Sequence, residues 1–174
     1  MPIISDADIF ATFSTDRESG CRLLLARFKE PLYMHIRRIT VSHDDAEDAL
    51  QETFIRLFRS FGRLDADRQS LTAWAYRIAT NEALRVRSSR RIHRMLDAAA
   101  DIAADSYIDY SNVEAVTLQR AIHRLPDKQQ LTFSLRYYDG LDYAEIAQIT
   151  GSSPESAKVN YAKAKQKIIK MLDI

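Results

Sequence analysis

The sequence is poor in the residues that punctuate and staple a chain. Four glycines and four prolines in 174 residues are too few for collagen-like or low-complexity repeats, and for the turn density of an all-β fold. The single cysteine, Cys21, cannot close an internal disulfide, and no Cys/His cluster offers zinc its ligands. His35, His43, His93 and His123 are scattered. No acid, base and nucleophile converge and no phosphate-binding loop is present, which argues against an enzyme. No apolar run is long enough to span a bilayer, and residues 1–20 lack the basic-then-apolar plan of a signal peptide. The expectation is a reduced, cytoplasmic, mostly helical protein with no metal, no cofactor and no membrane association. Its 46% hydrophobic fraction excludes a disordered chain and can core one medium domain or two small ones.

Charge is balanced overall at +1 but segregated along the chain. Residues 1–95 hold 16 basic and 13 acidic side chains, and residues 115–174 hold nine and six. Between them, residues 96–114 carry no basic group and five acids: Asp97, Asp101, Asp105, Asp109 and Glu114. Within the first block Arg85, Arg87, Arg90, Arg91 and Arg94 fall in ten residues without an acid among them. Uncompensated like charge at that density favours a polyanion partner over a solvated helix end.

Helical periodicity dominates. After a short piece with Ile9, Phe10 and Phe13, one stripe runs Leu24, Phe28, Leu32, Ile36, Ile39. A second runs Leu50, Phe54, Leu57, Phe58, Phe61, with Asp44 or Asp45 as its cap and Gly62 as its end. After the polar loop Arg63–Ser70, a third carries Leu71, Trp74, Ala75, Ile78, Ala79 and Val86. These predict an N-terminal bundle over 1–95. Residues 96–112 read as a flexible acidic linker, and 113–174 as a second helical domain. There Asp142 and Glu145 form a capping box, Gly151 is a helix stop, and Ser153-Pro154 opens a last helix buried along Ala157, Tyr161, Ala164, Ile168 and Leu172.

A short capped helix, a glycine turn and a lysine-bearing helix have the layout of a helix-turn-helix. Glu155, Ser156, Val159 and Asn160 then stand where base edges are read, while Lys163, Lys167 and Lys170 lie along phosphates. A solvated amphipathic helix gives the same pattern, so periodicity alone leaves both open.

Longer motifs go further. Asp45-Ala-Glu-Asp48-Ala-Leu-Gln51-Glu52-Thr-Phe54-Ile-Arg-Leu-Phe58 resembles the core-binding helix of sigma-70 family RNA polymerase sigma factors. Leu71-Thr-Ala-Trp74-Ala-Tyr76-Arg77-Ile78-Ala79-Thr-Asn81 resembles the helix those proteins use on the −10 element. Leu125-Pro126, the run Leu135 to Ala147, and Ala162-Lys163-Ala164-Lys165 resemble the −35-binding domain. The ordered set, with only a linker between the blocks, is similar to the compact extracytoplasmic-function (ECF) class.

The resemblance implies an all-α fold of sigma region 2 and sigma region 4, and a non-enzymatic subunit that gives core RNA polymerase its promoter choice. It implies core contact through Asp48, Gln51 and Glu52. It implies single-stranded −10 DNA at Arg63, Arg68, Gln69, Tyr76, Arg77, Arg85, Arg87, Arg90 and Arg91, with Asp65, Asp67 and Ser70 as further partners in the loop. Trp74 lies on the apolar stripe, so packing is its expected role. Double-stranded −35 DNA would meet Glu155, Ser156, Lys158, Val159, Asn160, Lys163 and Lys167, and an anti-sigma factor is an implied partner. Two positions depart from the family pattern: Arg85 stands where an aspartate is frequent, and Asn160 where an arginine is. They leave room for a sigma-like decoy that titrates an anti-sigma factor without binding promoters.

Overall fold

The computed structural model describes residues 3–65, 70–96 and 112–173, and side chains throughout these except 92–96. The expected linker falls almost wholly outside the described residues. The chain divides into two compact units, Met1–Asp105 and Ser106–Ile174. Among the described residues every regular element is helical.

In the first unit a capping box between Ser5 and Asp8 opens α1 (Asp6–Thr15). Asp16 ends α1 and caps α2 (Arg17–Thr40), accepting from the Glu18 amide at 3.1 Å. The two helices can meet because Gly20 has no side chain: a Cβ there would lie 2.5 Å from the Phe13 ring. α2 continues through Pro31, which is exposed. The amide lost at Pro31 is a local cost that the packed stripe Leu24, Phe28, Leu32, Ile36 outweighs.

α3 (His43–Ser60) is capped by Ser42 rather than by Asp44 or Asp45. A serine hydroxyl serves the first-turn amides equally well, and Asp45 is committed elsewhere, as described below. α3 passes into a 3-10 turn, Phe61–Arg63, that contains Gly62. The Phe61 ring stacks on Phe13 at 3.7 Å. α4 (Leu71–Leu96) follows, and Ser70 accepts from the Ala73 amide at 3.2 Å. Ile9, Leu24, Leu32, Ile36, Leu57 and Leu71 are fully buried where the four helices meet.

The second unit holds α5 (Val113–His123), α6 (Asp127–Tyr137), α7 (Tyr143–Thr150) and α8 (Pro154–Leu172). Its core is Ala121, Ile122, Leu125, Phe133, Ala164 and Ile168, with Leu118, Tyr161 and Leu172 against it. On α6 the buried aromatic is Phe133, stacked on Tyr161 at 5.5 Å, while Tyr138, the residue that caps its C-terminus, is 37% exposed.

Candidate functional site

The acidic face of α3 stands as the spacing requires. Asp48 and Gln51 are exposed, and Glu52 is half-buried, accepting from Arg56 at 3.3 Å. The periodicity did not indicate what surrounds them. Leu25, Lys29, Asp48, Gln51, Ile55 and Phe58 line an open groove of about 370 Å³ between α2 and α3. Leu25 and Ile55 are 36% and 37% exposed, so the carboxylate and amide sit beside unpartnered aliphatic surface. Leu25 and Ile55 fall off the buried stripes of their helices, and that mismatch was the signal available in the sequence.

α4 corrects two expectations. Tyr76 is buried, only 4% exposed, with its ring 5.1 Å from His35, so it packs between α2 and α4 instead of facing a nucleic acid. The arginines, in turn, are not a block without counter-charge. Arg90 forks onto Asp45 of α3 with three contacts of 2.9 to 3.1 Å. Arg85 bonds Glu82 at 2.6 and 3.0 Å, and Glu82, itself buried, also takes Arg56 of α3 at 2.7 Å. Hydrogen bonding to Glu82, together with its charge, raises the Arg85 pKa, and Asp45 does the same to Arg90. The compensating acids lie on an adjacent helix and just before the run, where a count over the ten residues missed them.

Arg63 on the 3-10 turn, Arg77 and Arg91 on α4 are exposed, and Arg87 is half-buried. Asp65 is exposed and Ser70 is the α4 cap. Trp74 is half-buried, edge-on to Phe61 at 6.0 Å, in the packing role expected of it. Asp67, Arg68, Gln69 and the side chain of Arg94 lie outside the described residues.

In the second unit the local chemistry acts as written. The Asp142 carboxylate accepts from the Glu145 amide at 2.8 Å, and Glu145 returns the bond at 3.3 Å. Gly151 ends α7 with φ 67°, a left-handed conformation that glycine adopts without strain. Ser153 caps α8 by accepting from the Ser156 amide at 3.1 Å, with Pro154 in the first turn. A short helix, a tight turn and a longer helix result. Arg136 braces the entry to α7 by donating to the Leu141 carbonyl at 2.9 Å while lying 4.8 Å over the Tyr143 ring.

Along α8, Glu155, Ser156, Lys158, Val159, Lys163 and Lys167 are exposed, and so is Lys170. Asn160 is half-buried beside the core stripe, less available than its neighbours. The helix also exposes Ala162, Lys165 and Gln166, which are not among the DNA contacts expected from the sequence, although Ala162 and Lys165 belong to the motif quoted there. The same 100° projection would have found them, had the face opposite Ala164 been followed to the end of the helix.

Comparison with known proteins matches these two units to two parts of one family. Residues 24–92 match the model for sigma-70 region 2, and residues 115–168 match that for sigma-70, region 4. The ECF RNA polymerase sigma factor SigF of Caulobacter vibrioides (strain NA1000 / CB15N) is 30% identical over 135 residues, covering 74% of this chain and 72% of that one. The ECF RNA polymerase sigma factor SigW of Bacillus subtilis (strain 168) is 28% identical over 159 residues, covering 83% and 84%. The fold is similar to that of the sigma factor RpoE in complex with the anti-sigma factor NepR from Bartonella quintana: TM-score 0.71, 20% identity, 91% of this chain and 98% of that one. The chain belongs to the sigma-70 family of RNA polymerase sigma factors, in its ECF class.

Proposed function

We propose that this sigma factor engages core RNA polymerase through the α2–α3 groove and promoter DNA through α4 and α8. The observation that carries the reading is the pairing, in one chain, of a groove edged by Asp48, Gln51, Leu25 and Ile55 with a helix-turn-helix whose second helix exposes five lysines. The first offers an anchor of carboxylate, amide and aliphatic groups, the mixture from which protein–protein hot spots are built. The second offers cations to phosphates.

The working domains are residues 1–95 and 113–174, joined by the acidic connector 96–112. On α4 the exposed Arg77 and Arg91, with Arg63 on the turn before it, are the favoured −10 contacts. Arg85 and Arg90 act on that element only as members of their ion pairs. On α8, Lys163 and Lys167 position the duplex, and the exposed Glu155, Ser156 and Val159 near the start of the helix read it. The chain performs no catalysis of its own, works in the cytoplasm beside the polymerase, and is held in check by an anti-sigma factor, as the Bartonella relative is bound by one.

Mixing the chain with core polymerase and promoter fragments tests this. The expected result is a complex that retains specific fragments which core alone does not retain. Core binding without promoter retention would favour the decoy reading instead, although a decoy has no need of the exposed lysines of α8.

A further inference from the structure

Outside its buried stripe α8 carries exposed lysines with a narrow, mostly uncharged row between them, and Ser156 and Ile169 stand exposed beside the lysines. Projected at 100° per residue, Ala157, Ala164 and Ile168 enter the core. The opposite crest runs Glu155, Val159, Ala162, Gln166, all exposed. Lys163, Lys167 and Lys170 stand on one flank of that crest, Lys158 and Lys165 on the other. Val159 leaves 50% of its surface in water and takes no part in the buried cluster of the unit. A valine costs a surface helix some propensity relative to alanine, so its own helix gives no reason for it. Its β-branch holds χ1 in one strongly preferred rotamer, which fixes the two methyl groups in place.

A mostly uncharged crest between two rows of cations suits the major groove. Phosphates line both walls of that groove, base edges form its floor, and among the four bases only thymine presents a methyl group there. We infer that Val159, with Ala162 one turn further along the crest, reads thymine: the −35 duplex this chain selects packs a thymine C5-methyl against them. The inference rests on the placement of α8 in the −35 groove proposed above and adds the base class that it recognises.

The test uses the full chain bound to core polymerase. Preferred −35 duplexes are selected from a randomised pool, and each thymine of the selected duplex is then replaced in turn by deoxyuridine, which lacks only the 5-methyl. Loss of one buried methyl corresponds to about fourfold in affinity. One such replacement is expected to weaken the wild-type complex by about that factor and to leave Val159→Ala unchanged, since the variant has already lost the contact. The substitution is at an exposed position and to a better helix former, so folding is not at issue. Deoxyuridine that is harmless everywhere, or that costs Val159→Ala as much as the wild type, overturns the inference while the docking of α8 stands. A pool that yields no preferred duplex overturns the docking, and the inference falls with it.

Discussion

At His35 a buried ring is held neutral by its surroundings. Thr80 donates its hydroxyl to the Tyr76 carbonyl at 2.7 Å, so its oxygen can only accept from His35 Nε2, also 2.7 Å away. Burial, and then the charge of Arg38, lowers the His35 pKa from 6.5 to about 3. The unfolded chain therefore binds the proton more readily between these values, and stability falls as pH drops from 6.5 towards 3. The expected slope attributable to His35 is at most about 1.4 kcal/mol per pH unit. Urea midpoints measured across pH 4–7 should show this slope in the wild type and a flatter profile in His35→Leu; equal slopes would remove His35 from the acid response. Glu82 is the other residue whose partners decide its role. Glu82→Gln should cost about 1–3 kcal/mol, because charge-assisted bonds to Arg56 and Arg85 become neutral ones. Thermal unfolding checks it, and an unchanged midpoint would mean that the half-exposed arginines find equal partners in water.

At the scale of the element, each helix proposed to bind has one face buried in its own unit and another left exposed, and the two can be altered separately. Asp48→Arg with Gln51→Ala should weaken association with core polymerase at least tenfold while leaving helical content intact, since both side chains are exposed. A pull-down with undiminished core would remove this face from the interface. On α8, Lys163→Ala should weaken binding to all −35 sequences alike and flatten the log–log salt dependence by about one unit. A changed base preference at constant slope would show that Lys163 reads bases. What was legible in the sequence follows the range of each interaction. The Asp142–Glu145 box, the Gly151 stop and the Ser153-Pro154 start are chemistry within a few residues, and each stands as the local rules require. The Arg90–Asp45 fork joins residues 45 apart, and no local pattern announces it. Tyr76 is a second long-range case: it stands in a motif that resembles a DNA-contacting helix, but the ring of His35 from α2 covers it. The groove flanked by Leu25 and Ile55 likewise exists only once two helices pack.

Over the whole molecule, the modest net charge of +1 comes from two basic blocks and an acidic connector, so local fields are stronger than the total implies. Neutralising the connector by changing Asp97, Asp101, Asp105 and Asp109 to Asn should raise the affinity of the free protein for non-specific duplex DNA, most visibly at low salt. Superimposable salt titrations of the two proteins would leave the connector with no electrostatic role. In the function proposed above, one chain couples polymerase to promoter through two faces of different chemistry. Run-off transcription with purified core polymerase and genomic promoter fragments tests it most directly. Defined transcripts that require the chain, and that are lost with Asp48→Arg/Gln51→Ala, are the expected result. Transcripts from core that are indifferent to the chain, or full activity in that double variant, would contradict it.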